Sequence, residues 1–167
     1  MGKRARQYIG LVVAVALYYT IHEGAHLLVA LAQGVFKQIN IIGLGMQIDV
    51  YAEQMSPQQM AVFCLAGPLA TLIAGWAMVL FVKQICAIRS AVVKACAWYT
   101  SITMLMLDEL YLGVFYRWVG GGDMNGIKLM LPEGAVSAVA IVIGVINMLI
   151  IWKILFPAYK KSFATEE

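Results

Sequence analysis

Charge is scarce in this chain. Lys, Arg, Asp and Glu make up 13% of its 167 residues, and its long apolar runs are nearly free of them. A soluble core of this size does not need such runs, so an ordinary water-soluble domain is excluded in favour of an integral membrane protein. The basic residues form no patch. They are scattered at the ends of apolar runs, so the net charge of +3 does not indicate a nucleic-acid partner and the cations serve as topology signals. Cysteine is equally uninformative: Cys64, Cys86 and Cys96 lie in or beside apolar segments without metal-ligand spacing, which points to membrane packing. Histidine occurs only twice, at His22 and His26.

What is abundant is hydrocarbon, at 62% hydrophobic residues. About two dozen residues cross a bilayer, so there is room for about four crossings. The expected fold class is an all-α membrane protein, a single transmembrane domain over 1–167 with helices at about 8–32, 57–82, 92–118 and 134–156. No appended soluble domain fits. Lys3, Arg4 and Arg6 precede the first run as they would in a secretory signal. That run is too long, continues through both histidines and has no clear small-residue cleavage site, so a retained first helix is expected, stopping at Gln33-Gly34.

Between the first two helices, residues 35–53 are too polar to cross. Ile39, Ile41, Met46, Ile48 and Val50 are interspersed with Asn40, Gln47 and Asp49 around Gly43-Leu44-Gly45, the pattern of a short interfacial or re-entrant β-hairpin. Ser56-Pro57 then opens helix two, with a capping residue followed by proline in the first turn. Within that helix, Ala66-Gly67-Pro68-Leu69-Ala70-Thr71 interrupts the backbone pattern with small residues and a proline, a packing kink or a more direct device. Lys83 to Lys94 reads as a basic connection, and Pro157 to Glu167 as a solvated tail.

The candidate chemistry starts at His22-Glu23-Gly24-Ala25-His26. Histidines four apart on a helix share a face about one turn (~6 Å) apart, near enough for both imidazoles to reach one metal ion. Glu23 adds a carboxylate able to take a proton from water as it attacks a carbonyl. In hydrocarbon such a glutamate costs roughly 2.5–3.5 kcal/mol on insertion scales, which marks function or a partner. Asp108-Glu109 in helix three is a second expensive feature. It lies about 13 Å below Arg117, a depth comparable to that of His22, so either acid is a candidate ligand, outer-shell partner or substrate-binding group. Pairing with Arg117 or facing an aqueous cavity is the alternative. Finally, Gly120-Gly121-Gly122 lets the backbone bend sharply before Asp123. A zinc ion held by two histidines needs a third protein ligand and an open position for water, and Asp123 is the expected third ligand.

These segments, in this order, resemble the site-2 protease family of intramembrane zinc metalloproteases. The likeness rests on His22-Glu23-Gly24-Ala25-His26, the hairpin, Ala66-Gly67-Pro68-Leu69-Ala70 and Gly122-Asp123, and covers nearly the whole chain. The resemblance implies Zn2+ held by His22, His26 and Asp123, Glu23 as general base and proton donor, and a hairpin that guides an unwound membrane-spanning or membrane-associated peptide by adding a strand. Where the family usually has Asn after the glycine-proline pair, this chain has Thr71, and the residues ahead of the aspartate also differ. Asn125 is the stand-in for an oxyanion-stabilising group. The resemblance is to a minimal form, for which no regulatory domains are expected.

With four crossings, one side receives Lys3, Arg4, Arg6, Lys83, Arg89, Lys94, Lys153, Lys160 and Lys161, and the other Lys37, Arg117 and Lys128. Both termini are therefore expected in the cytoplasm, with the site opening outward across what is expected to be a prokaryotic plasma membrane. Two functions fit: an intramembrane metalloprotease, or a non-catalytic metal-binding membrane protein such as a small transporter or an inactive relative. Asp108 and Glu109 would give the second a polar path.

Overall fold

The computed structural model describes residues 2–42, 45–120 and 122–164. It is predominantly helical. The elements in chain order are α1 (Lys3–Ala32), β1 (Phe36–Ile42), β2 (Gly45–Val50), α2 (Pro57–Leu80), α3 (Val82–Cys86), α4 (Ala91–Leu110), α5 (Tyr116–Val119), α6 (Gly122–Ile127), α7 (Glu133–Ile150) and α8 (Phe156–Ala164). One turn of π-helix, Tyr111–Phe115, joins α4 to α5, and another, Ile151–Leu155, joins α7 to α8. Three helical stretches, Lys3–Ala32, Pro57–Leu80 and Glu133–Ala164, are long and apolar enough to cross a membrane.

α1 buries a single line of residues, Gly10, Ala14, Tyr18, His22, His26 and Ala30, each four positions after the last. That line is one i±4 ridge, the row along which helices pack. Its small members set the separation from α4: a Cβ on Gly10 would stand 2.7 Å from the Tyr99 ring and 3.0 Å from the Ala95 carbonyl oxygen. α1 ends where the Gln33-Gly34 stop was expected. Gly34 adopts φ +70°, while Val35 N–H returns to Ala30 O (3.0 Å) and Gly34 N–H to Leu31 O (3.1 Å). This pair of bonds is a Schellman closure, which satisfies carbonyls the helix leaves open.

The hairpin is present and antiparallel, with Ile39 opposite Ile48 and Asn40 opposite Gln47. The expected turn at Gly43-Leu44 lies outside the described residues. Lys37 is an extra residue between Phe36 and Gln38, a bulge, and its ammonium pairs with Asp49 at 3.0 Å. α2 starts as expected: Ser56 accepts from Gln59 N–H while the Gln59 side chain accepts from Ser56 N–H, a reciprocal cap.

Three expectations are corrected. Pro68 does not break α2, which runs helically through it. The stretch after Phe156 is not a solvated tail: α8 continues the helical path to Ala164 and buries Tyr159 and Ser162. Lys94 is not a loop cation. It lies in the first turn of α4, 2% exposed, donating to Ser162 O (3.0 Å) and Ser162 Oγ (2.9 Å). A buried ammonium needs such acceptors, and α8 supplies them.

Candidate metal centre

His22 and His26 lie on the buried ridge of α1, 6% and 3% exposed, facing α2, α4 and α6. Their position is fixed from three sides. Gly67 of α2 brings backbone against the imidazoles, so closely that a Cβ there would stand 2.5 Å from His26 Nε2 and 2.6 Å from His22 Nε2. His26 Nδ1 is 2.7 Å from the Phe63 carbonyl oxygen, which makes Nδ1 the protonated nitrogen and leaves Nε2 free to coordinate. His22 Nδ1 lies 3.3 Å from Asp108 Oδ1, close enough for charge pairing although off the line of a good hydrogen bond.

Asp108 is 2% exposed and well partnered. Tyr18 donates its hydroxyl to Oδ1 (2.6 Å), and the Thr71 hydroxyl donates to Oδ2. Thr71 Oγ1 is also near Gly67 O and Pro68 O, but it has one proton, and a carboxylate is the strongest acceptor of the three. Tyr18, Asp108 and Thr71 thus form a buried chain ending on the back of the His22 ring.

Asp123 enters from the first turn of α6. The close packing of α6 on α2 brings it in, because a Cβ on Gly126 would meet Cys64 Sγ at 2.3 Å. Its Oδ2 stands 3.2 Å from His22 Nε2 and its Oδ1 3.3 Å from His26 Nε2. Two histidines and the aspartate that sequence reading grouped together therefore converge. His22, Glu23 and His26 also offer ligand atoms within 4.8 Å of one another, so this buried group can hold a metal ion.

Glu23 is half-buried, and its Oε2 accepts from Ile48 N–H of β2 at 3.1 Å. That N–H points away from β1, so the outer edge of the hairpin runs past the glutamate. Glu109 and Asn125 are not brought to the centre. Glu109 lines an apolar cavity of about 280 Å³ with Pro68, Leu112 and residues of α7, and pairs with neither histidine. Asn125 is exposed and its side chain makes no hydrogen bond among the described residues. Arg117, the alternative partner for the acids, pairs instead with Glu133 at 3.5 Å.

Tyr18, Phe63 and the backbone of Ile48 went unmarked in the sequence. Only Tyr18 left a legible signal, since it precedes His22 by four residues on the same ridge. Compared with models of known protein families, with curated proteins and with solved structures, the chain finds no significant match in any of the three.

Proposed function

We propose that the chain is an intramembrane zinc metalloprotease of the site-2 protease type, with His22, His26 and Asp123 holding the ion. One observation carries the reading: the Asp123 oxygens stand 3.2 and 3.3 Å from the two Nε2 atoms. Donors arranged tetrahedrally around one Zn2+ at bond lengths of about 2.0–2.2 Å are separated by about 3.3–3.6 Å, and each imidazole has one Asp123 oxygen close to that spacing. Two imidazoles and one carboxylate are three protein ligands, the number that leaves the fourth position of a tetrahedral ion to water, as in catalytic rather than structural zinc sites. Zn2+ bound there would supply Lewis acidity, making water a nucleophile near neutral pH and polarising a peptide carbonyl.

The chain's own groups do the rest. Glu23 takes the proton of the attacking water and returns it to the leaving amine nitrogen. Ile48 N–H holds its carboxylate toward the hairpin until substrate arrives. Asp108 orients His22 and balances charge behind it. The substrate is a membrane-spanning or membrane-associated peptide. The hairpin edge beside Glu23 favours an extended segment, because a helix hides its peptide bonds. Asn125, exposed as it is, is not carried forward as an oxyanion donor.

We read α4 as the fourth crossing. Its 20 residues span about 30 Å. Its charged side chains, Lys94, Asp108 and Glu109, are all buried, which leaves an apolar outer face for lipid. The excess of Lys and Arg at the end where α1 begins puts both termini in the cytoplasm and opens the centre outward.

The test is Glu23→Gln in purified protein supplied with a membrane-spanning model peptide. Zinc content is expected to stay at one per chain while cleavage falls by at least about a hundredfold. Undiminished cleavage would refute the proteolytic reading and favour a non-catalytic metal protein.

A further inference from the structure

The end of the molecule where α1 and α4 begin and α8 finishes carries a second concave site, remote from the histidines. A cavity of about 510 Å³ is walled by Lys3, Arg6 and Gln7 of α1, Trp98 and Tyr99 of α4, and Lys160 with Phe163 of α8. A neighbouring cavity of about 350 Å³ shares Gln7 and Tyr99 and adds Arg4, Tyr8 and Leu11. Four cations thus surround two adjoining hollows, and no acidic residue lines either among the described residues. None of Lys3, Arg4, Arg6 or Lys160 has an ion-pair partner among the described residues.

Cations gathered around a hollow create a potential that an anion would relieve. The rest of the lining restricts which anion fits. Below the cations the walls are aromatic and apolar, and Tyr8, Leu11 and Val12 continue down the exposed face of α1 at 71%, 49% and 68% exposure. Tyr and Trp rings with one wet and one oily end belong at the headgroup level of a bilayer. An occupant that satisfies both zones has a phosphate at the top and hydrocarbon beneath. We propose that this is a binding site for an anionic phospholipid of the leaflet in which α1 begins, with Lys3, Arg6 and Lys160 gripping the phosphate and Trp98 and Tyr99 supporting the glycerol region. Scattered topology-setting cations need only be numerous on one side, whereas these form a walled pocket shared by three helices. The lipid would join the start of α1 to the end of α8. The site rests on membrane embedding and is independent of the metal centre.

Native mass spectrometry of the full chain in detergent, offered equal amounts of phosphatidylglycerol and phosphatidylcholine with matched acyl chains, tests this. The wild type is expected to retain phosphatidylglycerol in preference by at least about tenfold. The combined Lys3→Gln, Arg6→Gln and Lys160→Gln variant is expected to lose that preference, and the charge-keeping Lys3→Arg, Arg6→Lys and Lys160→Arg variant to keep it. Should the triple neutral variant fail to fold, each single neutral variant is expected to lower the ratio in part. Equal retention of both lipids by the wild type, neutral variants with an unchanged ratio, or displacement of the lipid by millimolar inorganic phosphate would overturn the proposal.

Discussion

Asp108 Oδ1 lies 3.3 Å from His22 Nδ1, on the side of the imidazole away from Asp123. The two acids come from different helices and take different nitrogens, and the proposed centre gives them different jobs. Asp123 stands where a ligand stands, and Asp108 stands where an orienting partner stands. Asp108→Asn is therefore expected to weaken zinc binding by about ten- to a hundredfold without abolishing it. Asp123→Ala is expected to remove stoichiometric zinc altogether. Titration against a zinc-competing chelator separates the two, and the opposite ranking would make Asp108 the ligand.

Thr71 holds the other oxygen of Asp108. Thr71→Val keeps the shape and deletes the donor, leaving a fully buried carboxylate oxygen short of a partner. A loss of about 1–3 kcal/mol in unfolding stability is expected, together with weaker zinc binding. Thr71→Ser retains the hydroxyl and is expected to behave much more like wild type. Denaturation in detergent at matched zinc concentration reads both effects.

Gly67 has no room for a side chain, given a hypothetical Cβ 2.5 Å from His26 Nε2. The imidazoles cannot swing away freely, because Phe63 O and Asp108 hold their far sides. Gly67→Ala is expected to cost about 1–3 kcal/mol, read as zinc affinity lowered several-fold to a hundredfold. An unaltered affinity would mean that α2 is not packed on the imidazoles as described.

The hairpin carries a pH-dependent clasp. The Lys37 ammonium beside Asp49 holds that carboxyl below the usual carboxylate range, and Asp49 in turn raises the Lys37 ammonium above its usual value. A depressed acid contributes stability above its unfolded pKa and loses it as pH falls through the folded value. A raised base contributes below its unfolded pKa and loses it as pH rises through the folded one. The clasp is therefore complete between the ordinary Asp and Lys ranges and fails at both extremes. Lys37 is exposed and Asp49 about a third exposed, so the effect is small and weakens with salt. Amide exchange at Tyr51, whose N–H donates to Val35 O (2.9 Å) at the same end of the hairpin, is expected to quicken below the Asp range in wild type and to lose that pH dependence, after correction for intrinsic exchange, in Asp49→Asn.

How far the sequence carried the account follows from which signals are local. The four-residue spacing of His22 and His26, the Gly34 stop and the Ser56-Pro57 start are properties of one helix, and each is found where it was expected. Asp108 was legible by depth, since rise per residue places it level with the histidines. Its partner was not, because whether it turns to Arg117 or to His22 depends on how α4 is rotated against α1. Gly67 read as a helix-packing residue and Gly126 carried no such signal; only the crossing of α1, α2 and α6 shows that one forms the floor beneath the imidazoles and the other admits Asp123. Glu109 adjoins Asp108 in sequence and yet faces away, since neighbours on a helix point about 100° apart. Tails rich in Lys look solvated, and α8 was misread for that reason although Tyr159 and Ser162 dock it on the bundle.

X-ray absorption at the zinc edge of the purified wild-type chain tests the central claim most directly. The expected spectrum has one zinc per chain, four-coordinate, with nitrogen and oxygen neighbours at about 2.0–2.2 Å including two imidazoles, and loses that shell in Asp123→Ala. A sulfur neighbour, a shell unchanged in Asp123→Ala, or protein that binds no zinc would contradict it.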